Sequence, residues 1–137
     1  MYDTEALRRP AAQTTVVEGA TPAGIRDARR AAHTFVGRLA PVRDPALADT
    51  LVLVVCELVT NALRHGGGHY RLELTATPDS VTASVSDPSL VHPRERIPDL
   101  DGGSGGFGWP MIRQLSRHIT ITSGPGNGKT IRVRLSR

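Results

Sequence analysis

Between Asp44 and Gly68 the sequence leaves little conformational choice. Asp44 precedes Pro45, a residue suited to the first helical position, and Gly66, Gly67 and Gly68 close the stretch. Between these signals Leu47, Leu51, Val54, Val55, Leu58 and Ala62 recur at three- and four-residue spacing, which predicts an amphipathic helix with one apolar stripe. Such a helix must cover its stripe with a second layer, and the sequence that follows supplies one. Tyr70, Leu72, Leu74 and Ala76 alternate with Arg71, Glu73 and Thr75, and Val81, Ala83 and Val85 alternate in the same way after the turn residues Pro78-Asp79-Ser80.

The remaining segments fill out the same architecture. The β-branched run Thr14 to Val17 predicts a first strand over residues 13–18. Thr21 as N-cap, with Pro22 behind it, opens a helix whose apolar positions are Ile25, Ala28, Ala32, Phe35, Val36 and Leu39 and which stops before Pro41. Met111, Ile112 and Leu115 mark a helix over 108–116, with Pro110 tolerable only near its start. Strands at 119–122 and 130–135 flank the turn Gly124-Pro125-Gly126-Asn127-Gly128. Residues 1–12 form a loose leader, and 88–106, rich in proline and glycine and without periodicity, form a lid. The expected fold is an α+β two-layer sandwich over 13–137, with a mixed, largely antiparallel sheet and helices on one face.

Composition narrows the function classes. At 137 residues the chain suits a single domain, and its apolar share of 39% and charged share of 22% are those of a soluble globular protein. No apolar run approaches the roughly 20 residues of a membrane span, so the expectation is a cytoplasmic protein with no membrane partner. The single cysteine, Cys56, lies in an apolar run where packing is its expected role. A net charge of +4 favours acidic partners, but aromatics are only 4%, too few for a base-stacking platform, and direct nucleic-acid binding is not expected.

Two features carry chemistry, and a third segment is set aside. Glu57 and Asn61 are four residues apart on one helix face, with His65 continuing the row. A carboxylate beside a carboxamide suits a site that holds Mg²⁺ through oxygen and deprotonates a nucleophile, although a solvated polar face would use the same residues. The run Gly102-Gly103-Ser104-Gly105-Gly106-Phe107-Gly108 leads into a helix, where backbone amides favour anions; a flexible linker is the other reading. Gly128-Lys129-Thr130 is not a P-loop, because position 123 is Ser and Ile131, Val133 and Leu135 alternate as a strand does.

Taken together these segments resemble the GHKL (Bergerat-fold) ATPases. The run from Cys56 to His65, with Glu57, Asn61 and Arg64, is similar to their N-box, and Gly105-Gly106-Phe107-Gly108-Trp109-Pro110-Met111-Ile112 to their G2 box. Gly126 to Thr130 resembles the G3 turn, and Asp87 falls where the family has its adenine-recognising aspartate. Order and spacing agree over residues 13–135, and the Glu-Leu-Val-Thr-Asn-Ala form most resembles the bacterial anti-sigma-factor serine/threonine kinases.

The resemblance implies ATP and Mg²⁺ as cofactors. It implies Asn61 as the metal ligand, Glu57 as general base toward a protein serine, and Arg64 on phosphate. It further implies Asp87 on the adenine amino group with Thr130 assisting through water, and Gly105, Gly106, Phe107 and Gly108 around the phosphates. A sigma factor, a phosphorylatable antagonist protein and a second copy of the chain are the implied partners. The sequence departs from the family in reading Asp87-Pro88-Ser89 where Asp-x-Gly is common, and in placing Phe107 where Arg is often found. A regulator-binding module of the same fold, with little nucleotide binding and no kinase activity, is the alternative. If 88–106 is a nucleotide lid, amide hydrogen exchange across it slows on addition of saturating Mg-ATP; equal exchange with and without nucleotide identifies a plain linker.

Overall fold

The computed structural model describes residues 13–39, 44–65, 68–88, 108–123 and 128–137. The expected leader, and the expected lid apart from Pro88, lie outside the described residues. Among the described residues the elements in chain order are β1 (Gln13–Gly19), α1 (Ala23–Gly37), α2 (Leu47–His65), β2 (Tyr70–Ala76), β3 (Ser80–Asp87), α3 (Gly108–Leu115), β4 (His118–Ser123) and β5 (Lys129–Ser136). The strands form one five-stranded sheet in the order β1-β2-β3-β5-β4.

The sheet expected to be mixed and largely antiparallel is antiparallel in every pairing among the described residues. The reason lies in the route of the chain after β3. β4 runs in the same direction as β3, but β5 lies between them, so no parallel pair forms.

The core follows from the two periodicities in the sequence. Along α2, Leu47, Leu51, Val54, Val55, Leu58, Val59 and Ala62 are buried, and the sheet answers with Leu72, Leu74, Val81, Ala83, Val85, Ile131, Val133 and Leu135. Alternate strand residues such as Glu73, Ser84, Arg132 and Arg134 turn to the other, open face of the sheet. α1 adds Ala28, Ala32, Phe35 and Val36 beside α2, and α3 adds Ile112. The result is the two-layer α+β arrangement with helices on one face.

Helix starts deviate from the sequence signals. Pro22 occupies the N-cap of α1 with no side-chain cap, so the Thr21 hydroxyl does not serve, although the Thr21 carbonyl accepts the Gly24 N–H at 2.7 Å. Ahead of α2, Asp44 Oδ1 accepts the Ala46 N–H at 2.9 Å and the Asp44 carbonyl accepts that of Leu47 at 3.0 Å. This places Pro45 in a lead-in turn rather than in the helix.

Tyr70 ties the first helix to the sheet. Its ring is fully buried, and its hydroxyl donates to the Gly24 carbonyl at 2.7 Å across 46 residues of sequence. Gly19 and Gly24 make room for the ring, since a Cβ at either would lie 2.7 Å or 2.8 Å from Tyr70 Cε2. Burial raises the Tyr70 hydroxyl above its usual range, with Asp27 adding in the same direction, which keeps it protonated as a donor. Tyr70→Phe removes one hydrogen bond from the Gly24 carbonyl, which keeps its partner within the helix, and should destabilise the fold by about 0.5–1.5 kcal/mol, read as a lower denaturant midpoint at unchanged slope.

Candidate functional site

Connectivity brings the chemically distinctive residues to one end of the sheet. α2 ends at His65 and β2 begins at Tyr70, so the last turn of α2 stands over the end where β2 starts. Antiparallel pairing puts the end of β3 and the start of β5 there as well, with Arg71 opposite Ser86 and Asp87 opposite Lys129. α3 is followed by β4, whose first residue, His118, pairs with Arg134 toward the far end of the sheet.

At this end lies a buried ion pair. Lys129 Nζ donates to both Asp87 carboxylate oxygens at 2.9 Å, and the two side chains are 1% and 3% exposed. Loss of either partner alone would weaken the compensation of a charge held in the interior. Gly128, with φ +120°, leads into the pair, and a Cβ there would lie 2.6 Å from the Asp87 carbonyl oxygen.

Lys129 is not among the site residues expected from the sequence. The signal was present: Lys129 continues the row Ile131, Val133, Leu135, which alternation turns inward. The same alternation corrects the expectation for Thr130. Its side chain turns to the open face, where its hydroxyl lies 2.8 Å from that of Ser86, so the structure does not bring it together with Asp87. Lys129 stands in that place.

Glu57 and Asn61 share a face of α2 and are half-buried, whereas Arg64 is exposed. Desolvation raises the Glu57 carboxyl above its ordinary value of 4.5, and the Arg64 charge partly offsets this. Glu57 thus holds its proton to higher pH than a surface glutamate. Gly108 opens α3, while Gly105, Gly106 and Phe107 lie outside the described residues. Cys56 is half-buried on α2, and His33 is exposed on α1.

A family model described as the histidine kinase-like ATPase domain matches residues 19–135. The chain belongs to that family. A search of curated proteins returns no match. Domains of this family bind ATP, usually with Mg²⁺.

The donor set of this histidine kinase-like ATPase domain fits such ligands. Among the described residues no group of three or more His, Cys, Asp or Glu side chains is placed to cage a metal. Mg²⁺ takes one or two protein oxygens and completes its shell with phosphate and water, and Glu57 and Asn61 offer a carboxylate and a carboxamide oxygen one helical turn apart. No helix is long and apolar enough to cross a membrane among the described residues.

The Glu57 environment is open to direct measurement. Because the Arg64 charge favours the carboxylate, Arg64→Ala should move the Glu57 titration midpoint upward in carbon-detected NMR. Added salt should reproduce part of that rise in the unmutated domain, since Arg64 is exposed to screening. A midpoint that stays in place or falls would remove Arg64 from the account.

Proposed function

We propose that this protein is an anti-sigma factor that binds Mg-ATP and phosphorylates a serine or threonine of an antagonist protein. The observation that carries the reading is the half-buried Glu57 carboxyl, shifted upward by desolvation and placed one helical turn from Asn61. A carboxylate whose proton affinity is raised by desolvation is a better general base than a surface glutamate, because it gains affinity for the proton it must take.

ATP would supply the γ-phosphoryl group, its β–γ phosphoanhydride bond breaking to release ADP, and Mg²⁺ would offset the charge on the phosphate oxygens. Glu57 accepts the proton of the substrate hydroxyl. Asn61 offers its carboxamide oxygen to the cation, Arg64 reaches toward phosphate, and Asp87 accepts the adenine amino hydrogens. Binding of the phosphates is assigned to the backbone amides of Gly105, Gly106, Phe107 and Gly108. Partner choice between a sigma factor and the antagonist, action as a homodimer, and a cytoplasmic site of action complete the proposal.

The test separates base from binding. Glu57→Gln should keep most Mg-ATP affinity by calorimetry while phosphate transfer to the antagonist falls by roughly 10²-fold or more. Asn61→Ala should weaken Mg-ATP binding itself, because a Mg²⁺ ligand is lost. Transfer at the wild-type rate by Glu57→Gln would remove Glu57 as the base. ATP binding with no transfer to any serine or threonine of a bound partner would leave the regulator-binding module.

A further inference from the structure

Cover thins toward the β4 edge of the sheet. Ile119 and Ile121 turn to the helix side opposite Val133 and Ile131, yet they are only half-buried where those partners are closed off from solvent. α3, which packs on α2, leaves Met111 and Leu115 each 42% exposed beside the buried Ile112. Among the described strands β4 has a neighbour only in β5, so the N–H and C=O groups of its outer edge have no strand to pair with. The open face next to this edge is basic. Arg134 stands opposite His118 and Arg132 opposite Thr120; both arginines are exposed, and among the described residues neither they nor His118 enter an ion pair. The carboxylates of the same face, Glu18 and Glu73, lie on the β1 and β2 side and are engaged by Arg71 at 3.6 Å and 3.5 Å. A second copy of the chain would bring its own Arg71 with those carboxylates and so complements the arginines poorly. Among the described residues this face carries no Phe, Tyr or Trp, which leaves the bases of a nucleic acid nothing to stack on.

We propose that β4 is a docking edge for an extended segment of a partner protein in which carboxylate and aliphatic side chains alternate. No nucleotide takes part in the contact. A strand added to β4 pairs its outer backbone row, and the side chains of the newcomer point alternately to the two faces of the sheet. On the open face they come beside His118, with Arg132 and Arg134 one strand further in, and that cationic group calls for carboxylates. On the helix side they cover Ile119 and Ile121 and carry the core outward, which calls for aliphatic groups. The backbone supplies affinity and the alternation supplies choice. A segment shifted by one residue would set its carboxylates over the isoleucines and its aliphatic groups among the arginines.

The test titrates two capped peptides into the isotope-labelled full chain and follows its backbone amides by NMR, one peptide alternating valine with glutamate and the other valine with lysine. The glutamate peptide should shift the amides of His118 to Ser123 saturably and give intermolecular NOEs between its backbone and that of β4. The lysine peptide should do neither at the same concentrations. Replacing both arginines, by Arg132→Ser with Arg134→Ser, should weaken the glutamate peptide by about tenfold, the scale of two cross-strand charge pairs, and lysine at both positions should restore most of the loss. Should the double variant fail to fold, the comparison of the two peptides on the wild-type chain decides. Shifts without NOEs to β4 would reduce the contact to general charge attraction and overturn the assignment. So would equal binding of the two peptides, or a response centred on β1. An oligothymidylate that bound β4 as tightly as the glutamate peptide would overturn the choice of a protein segment. Concentration-dependent broadening of β4 signals in the free chain would give the edge to a second copy instead. No binding at about 1 mM peptide, a level that detects even weak contacts, removes this inference and leaves the kinase reading as it stands.

Discussion

The register between β3 and β5 is the constraint on which both core and site depend. It sets Val81 against Leu135, Ala83 against Val133, Val85 against Ile131 and Asp87 against Lys129. All eight side chains face the helices, so a slip of one residue on either strand would turn that strand's set to the open side. The three apolar pairs fix the register, since exposing Ile131, Val133 and Leu135 would forfeit about 1.5–3 kcal/mol for each. The charged pair is carried along. Folding of the sheet therefore delivers the Asp87 carboxylate to Lys129 without any separate event.

Much of this was legible in the sequence, for a physical reason. Burial repeats every 3.6 residues along α2 and every second residue along the strands, so the stripe from Leu47 to Ala62 and the alternations of β2, β3 and β5 located the layers. What depends on long-range placement was not legible. The insertion of β5 between β3 and β4 decides that the described sheet is wholly antiparallel, and no local pattern encodes it. Asp44 and Pro45 read as a helix start but form a preceding turn, because an Asp side chain can satisfy a backbone donor in either setting.

The site divides along the same line. Glu57 and Asn61 were identified as neighbours from their spacing, but spacing says nothing of depth. The half-burial that shifts Glu57 comes from what packs around α2. Thr130 was read from the letters of a motif, whereas strand geometry gives its inward place to Lys129 and pairs Thr130 with Ser86 on the other face. Motif matching tolerates an offset of one residue, but the pleat does not.

Gly128 gives the two ends of the sheet different histories. At the far end, the turn from Thr77 to Ser80 is exposed through Asp79 and is held by side-chain hydroxyls, a construction that other polar residues can reproduce. At the near end, the backbone entering β5 lies against the backbone leaving β3, 2.6 Å from where any side chain would have to begin. Inherited variation can accumulate in the first region without disturbing the second. The chain can thus diversify one rim of its sheet while the other, where Asp87 and Lys129 meet, stays closed to all but glycine at the point of contact.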